Sequence, residues 1–250
     1  LENGSSQELW NDLLALAKEL RPKAGQITYN KLIERLSSKY NFKGHKNLAA
    51  AINSFSKYSS STVLAIKDYV GEKTKIERMD VSQILSKIDK SNIVSLIGPS
   101  GVGKTALAKQ VYLKCIQNNT SVFWLSYTAF KSGTLAGLNQ SIGIDSFQDL
   151  FEFGPNNSLL IIDGIDRLLS ESELQLVSIL FSLFKEFGRK KWTILLTSQA
   201  EFWPRASEFV SSGGAIDIYS ISGFSTAELN NIAKEHSFLR PLLAKENIKA

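Results

Sequence analysis

Ser95-Leu96-Ile97-Gly98-Pro99-Ser100-Gly101-Val102-Gly103-Lys104-Thr105 is the stretch on which the fold turns. An apolar run comes first, then the spacing G-x-x-x-x-G-K-T, then Ala106-Leu107-Ala108-Lys109-Gln110-Val111, which predicts a helix. A strand, a glycine-rich turn and a helix in that order form a phosphate-binding loop. Glycines let successive backbone N–H groups curl around an anion. The helix N-terminus adds its partial positive charge. A chance glycine-rich turn is the plain alternative, but every motif position is filled and both flanks agree. Gly98, Pro99, Ser100, Gly101, Val102, Gly103, Lys104, Thr105 and Ala106 are therefore the expected nucleotide-binding residues. Lys104 is placed to reach the β- and γ-phosphates, and Thr105 to offer a hydroxyl to Mg²⁺.

The 250 residues are 43% hydrophobic and 21% charged, a globular composition with room for one large domain or two smaller ones. No apolar run approaches the roughly 18 residues of a membrane span, so no membrane partner is expected. The opening Leu1-Glu2-Asn3-Gly4-Ser5-Ser6 lacks the basic-then-apolar pattern of a signal peptide and reads as an added remnant. A single cysteine, Cys115, forms no internal disulfide and fits a reducing, cytoplasmic setting. Two histidines, His45 and His236, leave no material for a histidine-rich metal site. The net charge of +5 is uneven: residues 1–92 hold 15 Lys/Arg against 10 Asp/Glu, and residues 93–250 hold 14 of each. The N-terminal part is thus the candidate for an acidic partner.

That part reads as three short helices. Ser5-Ser6-Gln7-Glu8 has capping-box spacing, Leu9, Leu13, Leu16, Ala17 and Leu20 recur at helical period, and Pro22 stops the run. Thr28 caps a second helix through Leu32, Ile33, Leu36 and Tyr40, and Gly44 separates a third through Leu48, Ala49, Ile52 and Phe55. Tyr58-Ser59-Ser60-Ser61-Thr62 reads as a polar break. Lys39, Lys43, Lys46 and Lys57 cluster near the third helix, so the bundle is either a DNA-binding module or a protein-interaction bundle with a solvated basic face.

Beyond the bundle, strands alternate with helices. Strands are expected at Ile93–Ile97, Ser121–Leu125, Ser158–Ile162, Trp192–Leu196 and near 216–221. Residues 127–145 are rich in Gly, Ser and Thr and read as irregular, with Asp145 capping a short helix from Phe147 to Phe153. Ser225-Thr226-Ala227-Glu228 is a second capping box, and Leu239, Leu242 and Leu243 follow. The expectation is an α/β fold: a mostly parallel five-stranded sheet covered by helices, preceded by a small all-α bundle. The segments are 1–68 (basic helical bundle), 69–92 (linker helix), 93–222 (nucleotide-binding domain) and 223–250 (the start of a helical subdomain).

A second nucleotide signature is Leu160-Ile161-Ile162-Asp163. A carboxylate at a strand's C-terminal edge supports the Mg²⁺ shell beside a phosphate loop. Thr105 and Asp163 are then the metal-site pair. Asp166, three residues on, is the candidate to orient or activate the attacking water, against a helix-cap or ion-pair role. Lys104, Asp163 and Asp166 are the expected catalytic set. Thr197 or Ser198 points at the γ-phosphate if its strand lies beside the loop strand; otherwise the pair is an ordinary strand end.

These pieces stand in a recognisable order. The phosphate loop, Leu160-Ile161-Ile162-Asp163-Gly164-Ile165-Asp166, Leu195-Leu196-Thr197-Ser198 and Ile221-Ser222-Gly223-Phe224-Ser225 together resemble the NACHT branch of the STAND signal-transduction P-loop NTPases. Tyr69-Val70-Gly71 is similar to the segment that lines the adenine in that class, which adds Val70 to the nucleotide contacts. The resemblance covers about residues 69–237 and not the N-terminal bundle. It implies an ATP/ADP switch with Mg²⁺, an N-terminal effector acting through a protein partner or self-association, and roles such as prokaryotic antiviral defence or transcriptional control. It also implies that winged-helix and sensor regions lie beyond the chain. Two departures stand out. The family carries Glu after the second aspartate and Arg after the threonine–serine pair, where this chain has Arg167 and Gln199. Gln199 brings no charge to a γ-phosphate, so hydrolysis is expected to be slow or absent. The rival reading is a DNA-associated ATPase that uses the basic bundle on nucleic acid.

Overall fold

The computed structural model describes residues 6–21, 32, 35–36, 39–40, 48–70, 74–75, 78–188 and 191–235. The expected caps at Ser5 and Thr28, the stop at Pro22, the Gly44 separator, Lys43, Lys46, Gly71 and the segment from His236 onward lie outside those residues. The chain divides into two compact units, Leu1–Leu48 and Ala49–Ala250. In the first, helix α1 (Ser6–Leu20) carries Asp12. Asp12 accepts from Lys39 Nζ at 2.7 Å and from the Tyr40 hydroxyl at 2.6 Å.

The second unit is built on five strands: β3 (Ile93–Gly98), β4 (Ser121–Ser126), β5 (Ser158–Asp163), β6 (Trp192–Gln199) and β7 (Asp217–Ser220). A separate two-residue pair, β1 (Tyr69–Val70) with β2 (Thr74–Lys75), is antiparallel. The large sheet has the order β4-β5-β6-β3-β7, and every neighbouring pair is parallel. The central parallel strands are covered on both faces, which is why their apolar runs do not alternate, whereas the short edge strand β7 does. Leu159, Leu160, Ile161 and Ile162 are all buried, as are Ile194, Leu195 and Leu196. The covering helices are α3 (Asp80–Ile88), α4 (Lys104–Gln117), α5 (Leu135–Ile142), α6 (Phe147–Phe153), α7 (Glu171–Leu183) and α8 (Trp203–Val210). Helix α9 (Thr226–Glu235) follows β7. Cys115 is buried on α4, where desolvation pushes its thiol up to about 11, so it packs as an inert apolar group.

Three local expectations are corrected. The polar break at 58–62 is helix interior: α2 runs from Leu48 to Ala65. The hydroxyls there do not end the helix because they bond back along it. Ser59 Oγ donates to the Phe55 carbonyl at 2.7 Å, and Ser61 and Thr62 both donate to the Tyr58 carbonyl at 2.9 Å. This helix belongs to the α/β unit, not to a bundle ending at residue 68. The Phe55 ring lies 4.8 Å from that of Phe123 on β4 and 5.9 Å from Phe147, and Ser59 Oγ accepts the buried backbone N–H of Trp124 at 2.9 Å. Helix α2 thereby covers the outer edge of β4, whose backbone would otherwise face no partner.

Residues 127–145 are ordered by local turns. A 3₁₀ segment (Tyr127–Ser132) precedes α5, whose N-cap Thr134 accepts the Gly137 N–H at 3.2 Å. Leu138 and Ile142 bury the helix. The cap of α6 is Ser146, not Asp145: its side chain accepts the Asp149 N–H at 3.2 Å.

Two outcomes are expected from unfolding of the full chain in denaturant. Ser59→Ala strands the buried Trp124 N–H and lowers stability by about 1–3 kcal/mol. Glu173 caps α7, accepting N–H bonds from Leu169 and Ser170 while pairing with Lys131 at 2.8 Å. Its carboxyl falls from the usual 4.5 to about 2, with the Lys131 bond the largest cause. A depressed folded-state value stabilises above the unfolded one and is lost as protons bind. The Glu173 contribution is therefore present above about pH 4.5 and disappears towards pH 2. Glu173→Gln should flatten that acid limb; an unchanged acid limb would refute the assignment.

Candidate functional site

The loop between β3 and α4 leaves the sheet where the order reverses. The chain goes from β3 to the far edge at β4, returns through β5 and β6, and then crosses to β7 on the other side of β3. Ligands of open α/β sheets bind outside the strand C-termini at such a point. Gly101 (φ 78°) and Gly103 (φ 93°) both adopt the left-handed region, which only glycine enters without strain. Gly98 is required for another reason: a Cβ there would meet the Ile221 carbonyl oxygen at 2.5 Å. The strand end is that close because Ile221 N donates to the Ile97 carbonyl at 2.7 Å. Gly103 is the N-cap of α4, so the N–H groups of the first helical turn face the loop without a capping side chain.

Lys104 Nζ lies back over the loop, donating to the Gly98 carbonyl at 3.0 Å and to the Pro99 carbonyl at 2.6 Å. Burial lowers its pKa, opposed by Asp166, Glu201 and Asp163 in that order. Thr105 Oγ1 lies 2.9 Å and 3.2 Å from the two carboxylate oxygens of Asp163. The Asp163 carboxyl is pushed above its ordinary value by burial, against the hydrogen bonds from Thr197 and Thr105 that hold it down. Strand β6 lies between β3 and β5, so Thr197 reaches Asp163 from its side. Its hydroxyl donates to Asp163 Oδ1 at 2.6 Å and accepts the Gly164 N–H at 2.8 Å. The strand adjacency on which the γ-phosphate expectation depended is present, but Thr197 is turned onto the carboxylate. Ser198, fully buried, donates to the Gln199 carbonyl at 3.1 Å.

The residues fit a nucleoside phosphate with Mg²⁺. Two left-handed glycines shape an N–H cradle whose Cβ positions face open space. A flexible ammonium stands over it, and a hydroxyl beside a carboxylate supplies hard oxygen donors. Among the described residues there is no group of three or more His, Cys, Asp or Glu placed to hold a metal. A cation here would thus take Thr105 and Asp163 and complete its shell with phosphate and water, as Mg²⁺ does.

Thr105 and Asp163 lie within hydrogen-bond distance, and Asp166 and Asp163 both add to the field on Lys104. Asp166 Oδ1 accepts the Gln199 N–H at 3.2 Å, so β6's end holds this carboxylate. The Arg167 guanidinium lies 5.1 Å from the centre of the Tyr127 ring. Val70 pairs with Thr74 in β1–β2. Sequence reasoning missed Arg78. Its backbone N–H donates to Gln110 on α4 and its Nη1 to the Val102 carbonyl of the loop, at 3.1 Å and 3.3 Å. It also missed Lys109, next to Gln110, which bonds the Ile66 carbonyl at 2.7 Å and Asp68 at 2.9 Å. Arg78 and the Ile66–Asp68 stretch thus contact successive residues of α4. No local pattern marks either contact.

The NACHT domain family model matches residues 92–238. No curated protein matches the chain. Among solved structures, a DNA replication initiation factor is 17% identical, with 64% of this chain and 49% of that chain covered and a TM-score of 0.47. AMPPCP-bound DnaA from Aquifex aeolicus is 16% identical over 68% of this chain and 53% of its own, with a TM-score of 0.45. A RuvB variant from Thermotoga maritima is 21% identical over 66% and 52%, with a TM-score of 0.43. The chain spans about half the length of these structures.

Thr197→Val should leave the buried Gly164 N–H without its acceptor and cost about 1–3 kcal/mol. Thr197→Ser should keep both bonds and stay close to wild type. Denaturant unfolding of the two variants makes the comparison, and a Val variant as stable as the wild type would refute the hydroxyl's role.

Proposed function

The chain belongs to the NACHT domain family, and from that membership we propose that its α/β unit is an ATP- and ADP-binding signalling switch whose hydrolysis is slow. The observation that carries the reading is the Thr105–Asp163 pair. A loop hydroxyl and a strand-end carboxylate lie within hydrogen-bond distance beneath a lysine and a glycine cradle. Bound Mg²⁺ would neutralise charge on the β- and γ-phosphate oxygens. The chain's own residues divide the remaining work. The loop N–H groups and the α4 N-terminus bind phosphate oxygens. Lys104 exchanges the Gly98 and Pro99 carbonyls for those oxygens. Thr197 orients Asp163. Asp166, held by the Gln199 N–H, is the acid available to position water.

Two substitutions support slow turnover. Gln199 carries no positive charge for a γ-phosphate, and Arg167, in place of an acid, lies against Tyr127. A switch needs tight binding more than rapid chemistry. The N-terminal region is then the output module, acting through a protein partner or its own copies. Antiviral defence is the signalling role that the family reading suggests. A second reading, a DNA-associated ATPase, rests on the charge surplus of residues 1–92.

Nucleotide content and turnover of the purified chain, beside Lys104→Ala, test the first reading. Bound or added Mg·ADP and Mg·ATP should be retained by the wild type and lost by at least about tenfold in the variant, a difference of about 1.4 kcal/mol. Turnover should stay below about 1 s⁻¹, the low end of ordinary enzymes. Faster turnover, or no nucleotide affinity, overturns the switch. DNA binding that falls steeply with salt would favour the second reading.

A further inference from the structure

Arg78 is a buried cation with partners from four parts of the chain. It is 8% exposed, just ahead of α3. Nε and Nη2 donate to Asp80 Oδ2 at 3.1 Å and 3.0 Å, and Nε lies 3.1 Å from Glu228 Oε1 at the start of α9. Nη1 donates to the Val102 carbonyl and Nη2 to the Ser222 carbonyl, both at 3.3 Å. The Phe224 ring centre is 4.9 Å from its Cζ. Glu228, 5% exposed, also accepts the N–H of Met79 at 3.1 Å and the N–H and hydroxyl of Ser225 at 2.7 Å and 2.8 Å. The network reaches the sheet edge as well. Tyr219 on β7 donates to Asp80 Oδ1 at 2.7 Å, and burial and that bond raise its phenol to about 12.

A desolvated guanidinium is stable only while its donors are satisfied. Its planar fork also fixes where the partners must stand. Here one side of the fork holds Val102, the residue between the two left-handed glycines of the phosphate loop. The other side holds Ser222 and Glu228, which bracket the Gly223-Phe224-Ser225 string and open α9. Movement of either side leaves the same buried charge short of partners.

We propose that Arg78 couples the phosphate loop to the Ser222–Glu228 segment, so that the order of one sets the order of the other and an anion in the loop is felt at α9. Coupling of this kind is reciprocal, so it is measurable from either end.

Amide hydrogen exchange on the full chain tests it, first without ligand. Glu228→Gln keeps the side chain's shape and removes the charge facing Arg78. It should speed exchange of the loop amides 100–105 by about fivefold or more, within the usual range of site-to-site coupling. Ser225→Ala removes the cap hydroxyl but not the ion pair. It should loosen 226–230 and leave 100–105 unchanged, which separates coupling from a fraying helix. In an Arg78→Gln background Glu228→Gln should add nothing at the loop. If Arg78→Gln does not fold, the Glu228→Gln and Ser225→Ala pair decides alone. No acceleration at the loop from Glu228→Gln, or equal acceleration from Ser225→Ala, overturns the proposal.

The second arm adds Mg·ADP and rests on the nucleotide-binding reading. Protection of 100–105 should be accompanied by slower exchange at 222–228 in the wild type, and by none there in Glu228→Gln. Loop protection without a change at 222–228 in the wild type overturns the coupling. No loop protection at all overturns the nucleotide reading, while the ligand-free arm still decides the coupling.

Discussion

One carboxylate sets the terms for the rest of the site. Asp163 stands at the end of a strand whose other residues are all buried, and burial works against its charge. It is kept in place by hydroxyls from two other elements, Thr105 on the loop helix and Thr197 on the neighbouring strand. Those three residues come together only because β6 lies between β3 and β5 in a parallel register. The Thr105–Asp163–Thr197 arrangement thus depends on the strand order, and the strand order on a sheet that can be apolar on both faces because helices cover it.

Arg78 meets the same problem with the opposite sign. A buried cation is costly unless it is fully paired, and this one is paired with two carboxylates and two backbone carbonyls. The two buried charges differ in what surrounds them. Asp163 has hydroxyl partners and can be offered a cation. Arg78 has its charge balanced within the chain, which suits a connector more than a ligand contact. Both lie around the phosphate loop, one at its helical end through Thr105 and one at its midpoint through Val102.

Much of this was legible because the relevant signals are local. The phosphate loop, the Ile162-Asp163 strand end, the five strands and the Ser225–Glu228 capping box each declare themselves within about ten residues, and the structure contains all of them. The failures are also physical. A run of hydroxyl residues at 58–62 suggests a break, yet in a helix those groups bond the preceding turn, and Ser59 then serves a strand far along the chain. Asp145 and Ser146 are both good caps, and only the backbone path selects the second. Thr197 or Ser198 was expected at a γ-phosphate if its strand lay beside the loop strand, against an ordinary strand end; the adjacency is present, and the Thr197 hydroxyl bonds Asp163.

The class of chemistry is carried by the order of amino acids alone. A glycine-rich loop between an apolar run and a helix has few uses other than holding phosphate, because the backbone conformations it needs are encoded residue by residue. That order also pointed to a mostly parallel sheet, through strands with near-continuous apolar runs, such as Leu159–Ile162 and Ile194–Leu196, separated by helices. Long-range packing selected which helix lies at the β4 edge, which hydroxyls hold Asp163, and that a buried arginine joins the loop to α9. Those contacts link residues distant in sequence, such as Ser59 with Trp124, Thr197 with Asp163 and Arg78 with Glu228. Their pairing follows from packing order and the cost of leaving buried polar groups unpaired, which no local pattern carries.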